Sequence, residues 1–453
     1  MIPGSHSIGG ANAVTWVIGG SGASNTFSGL ISNGGAAGAV THVTKTGAGI
    51  QTLSGANTFT GSLTVNGGTL AAALGSNSTN PVSGALGNTQ VARNITVNNT
   101  GTLRFDAGDV MGGAGSTILS TLVINSGGTV TNNGGQFNTL GAVTLNGGTL
   151  TGTGGSSNGQ FQMYAFGGTV TAGGSSASTI SSAVGTTIGG TAIDTVGYHL
   201  GTAVTTGTTF NVADATGSSA SDLNVSALLI DRVGGLGAAS LTKSGIGTMT
   251  LTGTNTYTGT TSINGGTLEL PATGSLASSA IAISGGTLLL GGGVGDRLNN
   301  TGSVTLGNAA FDSILQLSNA VSETAGPLSL SAGGAGRRVI DFGSVSGVLN
   351  FTSLLTNAST LQVWNWSGNV GTGGGTDQFI VNITDSFSNV VFFSDSGVSS
   401  LGTAAFATGN PGELVPVPEP GALFGGLALL ATLAWRERRQ WMRCREARRP
   451  IAG

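Results

Sequence analysis

An all-β solenoid, a stack of short strands turned through tight corners, is the fold class this 453-residue sequence predicts, and three observations predict it. Gly-Gly-Thr followed by Leu or Val begins at Gly67, Gly127, Gly147, Gly167, Gly265 and Gly285, with 20-residue steps from 127 to 147 to 167 and from 265 to 285, and three such steps from 67 to 127. A fixed recurrence of this length marks a repeat architecture, in which one unit buries its apolar face only when the next covers it. Residues 43–70 also align without a gap on 241–268, sharing Thr-Lys-x-Gly-x-Gly, Asn-Thr-aromatic-Thr-Gly and Asn-Gly-Gly-Thr-Leu. The composition agrees: 83 glycines, 5% aromatic and 7% charged residues, yet 38% apolar side chains in short runs that alternate with Thr. That profile separates the chain from charge-rich globular enzymes and from disordered, apolar-poor segments.

From the N-terminus, Met1 to His6 shows no basic stretch and no apolar run precedes Gly9, so no secretory leader is legible and a true start upstream is expected. Asn25-Thr26-Phe27-Ser28-Gly29 is a weaker third copy of the aromatic element. Within the repeats, Thr-Leu-Thr and Leu-Thr-Val have the two-residue period of a strand with one face inward. Gly-Gly and Asn-Gly supply the left-handed backbone that sharp corners need. Stacked in register, such coils bury columns of Leu, Val and Ile and let Thr and Asn ladder along the stack. The repeat region is read as 1–336, at about 20 residues per coil. Residues 337–413, richer in Phe and holding Trp364 and Trp366, are read as a β-rich cap that closes the open end. Alternate residues on a strand share a face, so the two indoles are either core or a platform on which a glycan stacks. Residues 414–453 comprise a linker, Pro418-Glu419-Pro420, an uncharged apolar run over 421–435, and an arginine-rich tail over 436–453.

The 45–70 segment resembles the autotransporter-associated β-strand repeat, also called the passenger-associated transport repeat, with a second full copy at 243–268. That resemblance implies a right-handed parallel β-helix. The C-terminal order of motif, apolar run and basic tail resembles the PEP-CTERM sorting signal of exported bacterial proteins. This second resemblance implies recognition of Pro418, Glu419 and Pro420 by an exosortase-type enzyme. A single C-terminal transmembrane helix is expected over 421–435, although its 15 residues fall short of the roughly 20 of a full span. Arg436, Arg438 and Arg439 would then hold the tail on the cytoplasmic side. The chain would sit in the inner membrane before sorting and afterwards at the cell surface or outside it, with exopolysaccharide as a candidate partner. The alternative for 421–435 is a buried amphipathic helix followed by a solvated basic tail.

Of the 15 Lys and Arg residues seven lie in 436–453, and of the 18 Asp and Glu residues two do, so the first 435 residues carry −8 and the tail +5. A body of that sign offers no footprint for nucleic acid. The one cysteine, Cys444, is in the tail, so the body has no disulfide. Histidines are limited to His6, His42 and His199, while Lys45 and Lys243 occupy equivalent repeat positions. Asp106 and Asp109, beside Arg104, are an acid–base pair, a calcium corner or a solvated turn. Gly292-Gly293-Val294-Gly295-Asp296 approaches a calcium-binding glycine-rich nonapeptide but is one residue short and occurs once. No spacing suggests zinc or a phosphate loop. No catalytic residue, metal or cofactor is expected. The sequence therefore points to an exported, non-enzymatic surface or matrix solenoid; the alternatives are a polysaccharide-degrading β-helix enzyme with the same signal and an autotransporter-like adhesin passenger.

Overall fold

A computed structural model describes residues 5–417 except 10–12, 36, 77–82, 114–115, 134–135, 153–162, 183–185, 189–190, 194–196, 295, 308–309, 345 and 383–386. Strands dominate it, and one sheet runs nearly its whole length. Fourteen strands, from Ala13–Ile18 to Leu354–Leu355, stack parallel, and Ser5–Gly9 adds an antiparallel fifteenth at the N-terminal edge. A second parallel ladder links Asn25–Phe27, Ile50–Leu53, Gly68–Ala72 and Gly101–Phe105 onward to Thr287–Val294 and Ser313–Ala325. A short third sheet stacks Asn138–Leu140, Tyr164–Phe166, Gly197–His199 and Leu228–Ile230. The result is an all-β, largely parallel, multi-sheet structure consistent with a β-solenoid.

The alternating sequence pattern becomes columns. On the first face Val43, Leu63, Ile95, Leu122, Val143, Val170 and Phe210 are successive register partners, all fully buried. On the second, Leu70, Leu103, Val130, Leu150 and Ile180 do the same. Each column excludes water along the stack while the strand amides bond to the coils on either side. At one corner Asn66, Asn98, Asn125 and Asn146 form a side-chain ladder, each later amide donating to the oxygen of the one before at 2.7, 2.7 and 2.9 Å.

The repeated motifs acquire physical roles. Asn57 and Asn255 are buried; Asn57 accepts from Ile31 N at 2.8 Å and donates to Ala85 O at 2.9 Å, joining three coils. Asn255 accepts from Leu229 N and donates to Ser275 O, both at 3.0 Å. Lys45 Nζ donates to the carbonyls of Thr46, Gly47 and Gly67 at 2.8–2.9 Å, and Lys243 Nζ to those of Ser244, Gly245 and Gly265 at 3.0–3.1 Å. Both lysines sit on the inward face, their stems in the apolar column and their ammonium groups donating to the carbonyls of the corner that follows.

Coil length is not constant along the stack. The short step of the sequence repeat holds from Val43 to Leu63 and from Leu241 through Thr261 to Ile281, but the coil from Leu63 to Ile95 is half as long again and the one from Val170 to Phe210 is twice as long. The stretch from Gly67 to Gly127 makes two coils rather than three, with Thr69 paired to Thr102 and Thr102 to Thr129. Gly167 opens a first-face strand, Val170–Ala172, whereas Gly147 opens a second-face strand, Thr149–Leu150, so the spacing between these two glycines is not a coil. Around the longest coil, the interior is filled by aromatics: Tyr164, Tyr198, Phe166 and Phe210 lie with ring centroids 5.1–5.8 Å apart.

At the C-terminal end the 13-residue strand Ser313–Ala325 bends and forks. Its first half pairs with Arg338–Asp341, which leads to Leu361–Trp364 and Val390–Phe393; its second half pairs with Gly347–Phe351, which leads to Asp377–Val381. Antiparallel Ser400–Phe406 and Glu413–Val417 join the two branches into a closed ring.

One expectation is corrected here. The all-β body was to carry a single C-terminal transmembrane helix, but among the described residues no helix is long and apolar enough to cross a membrane. The run 421–435 lies outside the described residues, as do Pro418, Glu419, Pro420, Arg436, Arg438, Arg439 and Cys444. A 15-residue apolar run is too short to establish a span by itself. The inner-membrane stage, and the membrane as partner through this segment, are therefore not supported.

Candidate functional site

The fork of the long strand creates a polar cleft of about 490 Å³, within the size range of small-molecule sites. Four successive rungs supply its walls: Gln316 and Ser318 from the long strand, Asp341 and Ser344 from the next rung, Asn365 beyond the end of Leu361–Trp364, and Ser396 from the loop above. Asn365 adopts φ +54°, a left-handed conformation that Asn tolerates better than most residues, and this ends the strand at Trp364 and turns the amide toward the corner. Its backbone N–H donates to Asp395 O at 3.1 Å. Asp395 accepts from the Val398 and Ser399 amides at 2.7 and 2.9 Å, bonds that hold its exposed carboxyl below the usual range and fix the loop bearing Ser396.

Asp341 is the centre of the cleft. It is 7% exposed, and its oxygens take three bonds: Asn365 Nδ2 at 2.7 Å and Gly343 N at 2.8 Å on Oδ1, Gln316 Nε2 at 3.0 Å on Oδ2. Sequence reasoning missed this cluster. Its only trace is that Gln316, Asp341 and Asn365 are spaced by nearly equal intervals, each close to the local coil length.

The residues singled out from sequence fare differently. Trp364 and Trp366 are buried, 6% and 3% exposed. The Trp364 face lies 4.5 Å beneath the Arg337 guanidinium and its Nε1 donates to Gln362; Trp366 meets Phe392 edge-on at 5.2 Å. Arg104 pairs with Asp106 in a two-pronged contact of 2.6 and 2.7 Å, leaving Asp109 apart, its carboxyl pushed up to about 6 by burial. His42 Nδ1 accepts from Ser62 N, and His199 Nδ1 contacts Asp231 O; the His6 side chain lies outside the described residues. In 292–296, residues 292–294 belong to the strand Thr287–Val294, and Asp296 accepts from Asn300 at 3.1 Å. Among the described residues no three of His, Cys, Asp and Glu are grouped to hold a metal ion.

Elsewhere the buried carboxylates bond to backbone. Asp222 accepts from the amides of Ala215, Thr216 and Thr248, Asp377 from those of Gly347 and Ser367, and Glu413 from that of Gly374. Such groups close corners.

Comparison with known proteins adds one finding. The Passenger-associated-transport-repeat model matches residues 43–72 and 241–270. These are the coils stapled by Lys45 and Lys243. No curated protein and no solved structure matches this chain.

Proposed function

We propose that this chain is an exported, non-enzymatic β-solenoid scaffold of the cell surface or extracellular matrix. The observation that carries the reading is the use made of its few ionisable side chains: Lys45, Lys243, Asp222, Asp377 and Glu413 bond to backbone at corners of a continuous parallel stack. The two passenger-associated repeats support the extracellular setting. The sorting role of Pro418, Glu419 and Pro420 belongs to this proposal and rests on the resemblance of that motif. Residues 337–413 serve in it as the closing end of the stack.

Protease treatment of intact native cells, together with reducing-end assays of the purified chain on a polysaccharide panel, tests the reading. The scaffold predicts digestion without lysis and no turnover. Protection until lysis would overturn the surface placement, and new reducing ends would reinstate the polysaccharide-degrading alternative.

A further inference from the structure

We infer that the cleft around Asp341 binds a short, neutral oligosaccharide; this deepens the scaffold reading and rests on it for the extracellular setting. Both amide nitrogens, of Gln316 and Asn365, are turned onto the Asp341 carboxylate. Their carbonyl oxygens therefore point away from it, and the described residues supply neither with a donor. Two fixed acceptors result, oriented by a buried negative charge rather than by a flexible side chain. The hydroxyls of Ser318, Ser344 and Ser396 add groups that both donate and accept.

This lining selects its ligand class. Among the described residues no Lys or Arg lines the cleft, so an anion would face acceptors and the Asp341 charge without compensation. A divalent cation would find a single carboxylate with both oxygens already engaged. A ligand dense in neutral hydroxyls satisfies the acceptors and hydroxyls together. The four contributing rungs span three strand spacings, about 14 Å along the stack, a length suited to a chain of sugars laid parallel to the solenoid axis.

Calorimetry of the full chain with cellotriose, maltotriose and laminaritriose, and with trigalacturonate as the anionic arm, tests the inference. At least one neutral trisaccharide should bind and trigalacturonate should not. Gln316→Met removes one acceptor at similar volume, and Asn365→Gly removes the other while tolerating the left-handed backbone. Each should weaken binding about fivefold, the size expected for one neutral hydrogen bond. If Asn365→Gly loses its β-type circular dichroism, Gln316→Met decides alone. Absence of neutral binding, preference for trigalacturonate, or variants that bind like the parent chain would overturn the inference. The scaffold reading would survive these results, because it fails on cell-surface accessibility or turnover instead.

Discussion

The two glycines of the Gly-Gly-Thr-Leu corner should respond unequally to the same substitution. Gly266 has φ +59°, and a Cβ there would strike Gly247 O and lie 2.6 Å from Gly245 O and 2.7 Å from Ile246 C, all backbone of the preceding coil. Gly68 repeats the arrangement in the first copy, with φ +60° and Gly49 O at 2.6 Å. The left-handed backbone costs a residue with a Cβ about 1–2 kcal/mol, and forcing a methyl into packed backbone costs about 1–3 kcal/mol more. Gly266→Ala should therefore destabilise its coil by about 3 kcal/mol, which is roughly two decades in an opening equilibrium. At Gly265 the nearest atom to a new Cβ is Gly245 O at 3.2 Å, and at Gly67 it is Thr100 Oγ1 at 3.6 Å; neither glycine has a left-handed φ. Gly265→Ala should stay within about 1 kcal/mol. Hydrogen exchange read on peptides covering 244–268 is the suitable assay, since a long stack opens locally rather than all at once. Equal exchange in the two variants would refute the reasoning that the preceding coil's carbonyls, and not general crowding, dictate the second glycine.

Burial lowers the Lys243 ammonium from 10.5 to about 8, against a smaller opposing pull from Asp222. Between those values the unfolded chain holds a proton the folded chain has released, so the contribution of Lys243 to stability should rise with pH from about 8 to 10.5, by about 3 kcal/mol in total, against an opposing loss above about pH 10 from the buried Tyr164, Tyr198 and Tyr257, whose hydroxyls burial pushes up. The urea midpoint of the parent chain should gain on that of Lys243→Met as pH rises across that range, and a constant gap between the two would disprove the linkage. Deleting 400–417 removes the antiparallel closure and bares the edges of Asp377–Val381 and Val390–Phe393, so the shortened chain should self-associate in light scattering after gel filtration; a monodisperse monomer would show that the closure does not protect those edges.

Local chemistry made the coils legible. Alternating Thr and Leu, the Gly-Gly corners at 67, 127, 147, 265 and 285, and the two Lys-containing copies each specify backbone geometry within a short span of chain, and each appears in the structure as a strand, a corner or a staple. Coil length was not legible, because closing a longer loop costs little extra and a corner can absorb added chain while the ladder stays in register, as between Leu63 and Ile95. A periodicity argument therefore misread the stretch from Gly67 to Gly127 and the place of Gly167. The reading of 421–435 as a membrane span rested on local hydrophobicity in a stretch of only 15 residues, and the described structure gives it no support. The cleft depended on tertiary structure entirely: Gln316, Asp341 and Asn365 form no motif, and they meet only because parallel stacking carries residues one coil apart onto one corner, where a shared carboxylate can orient two amides.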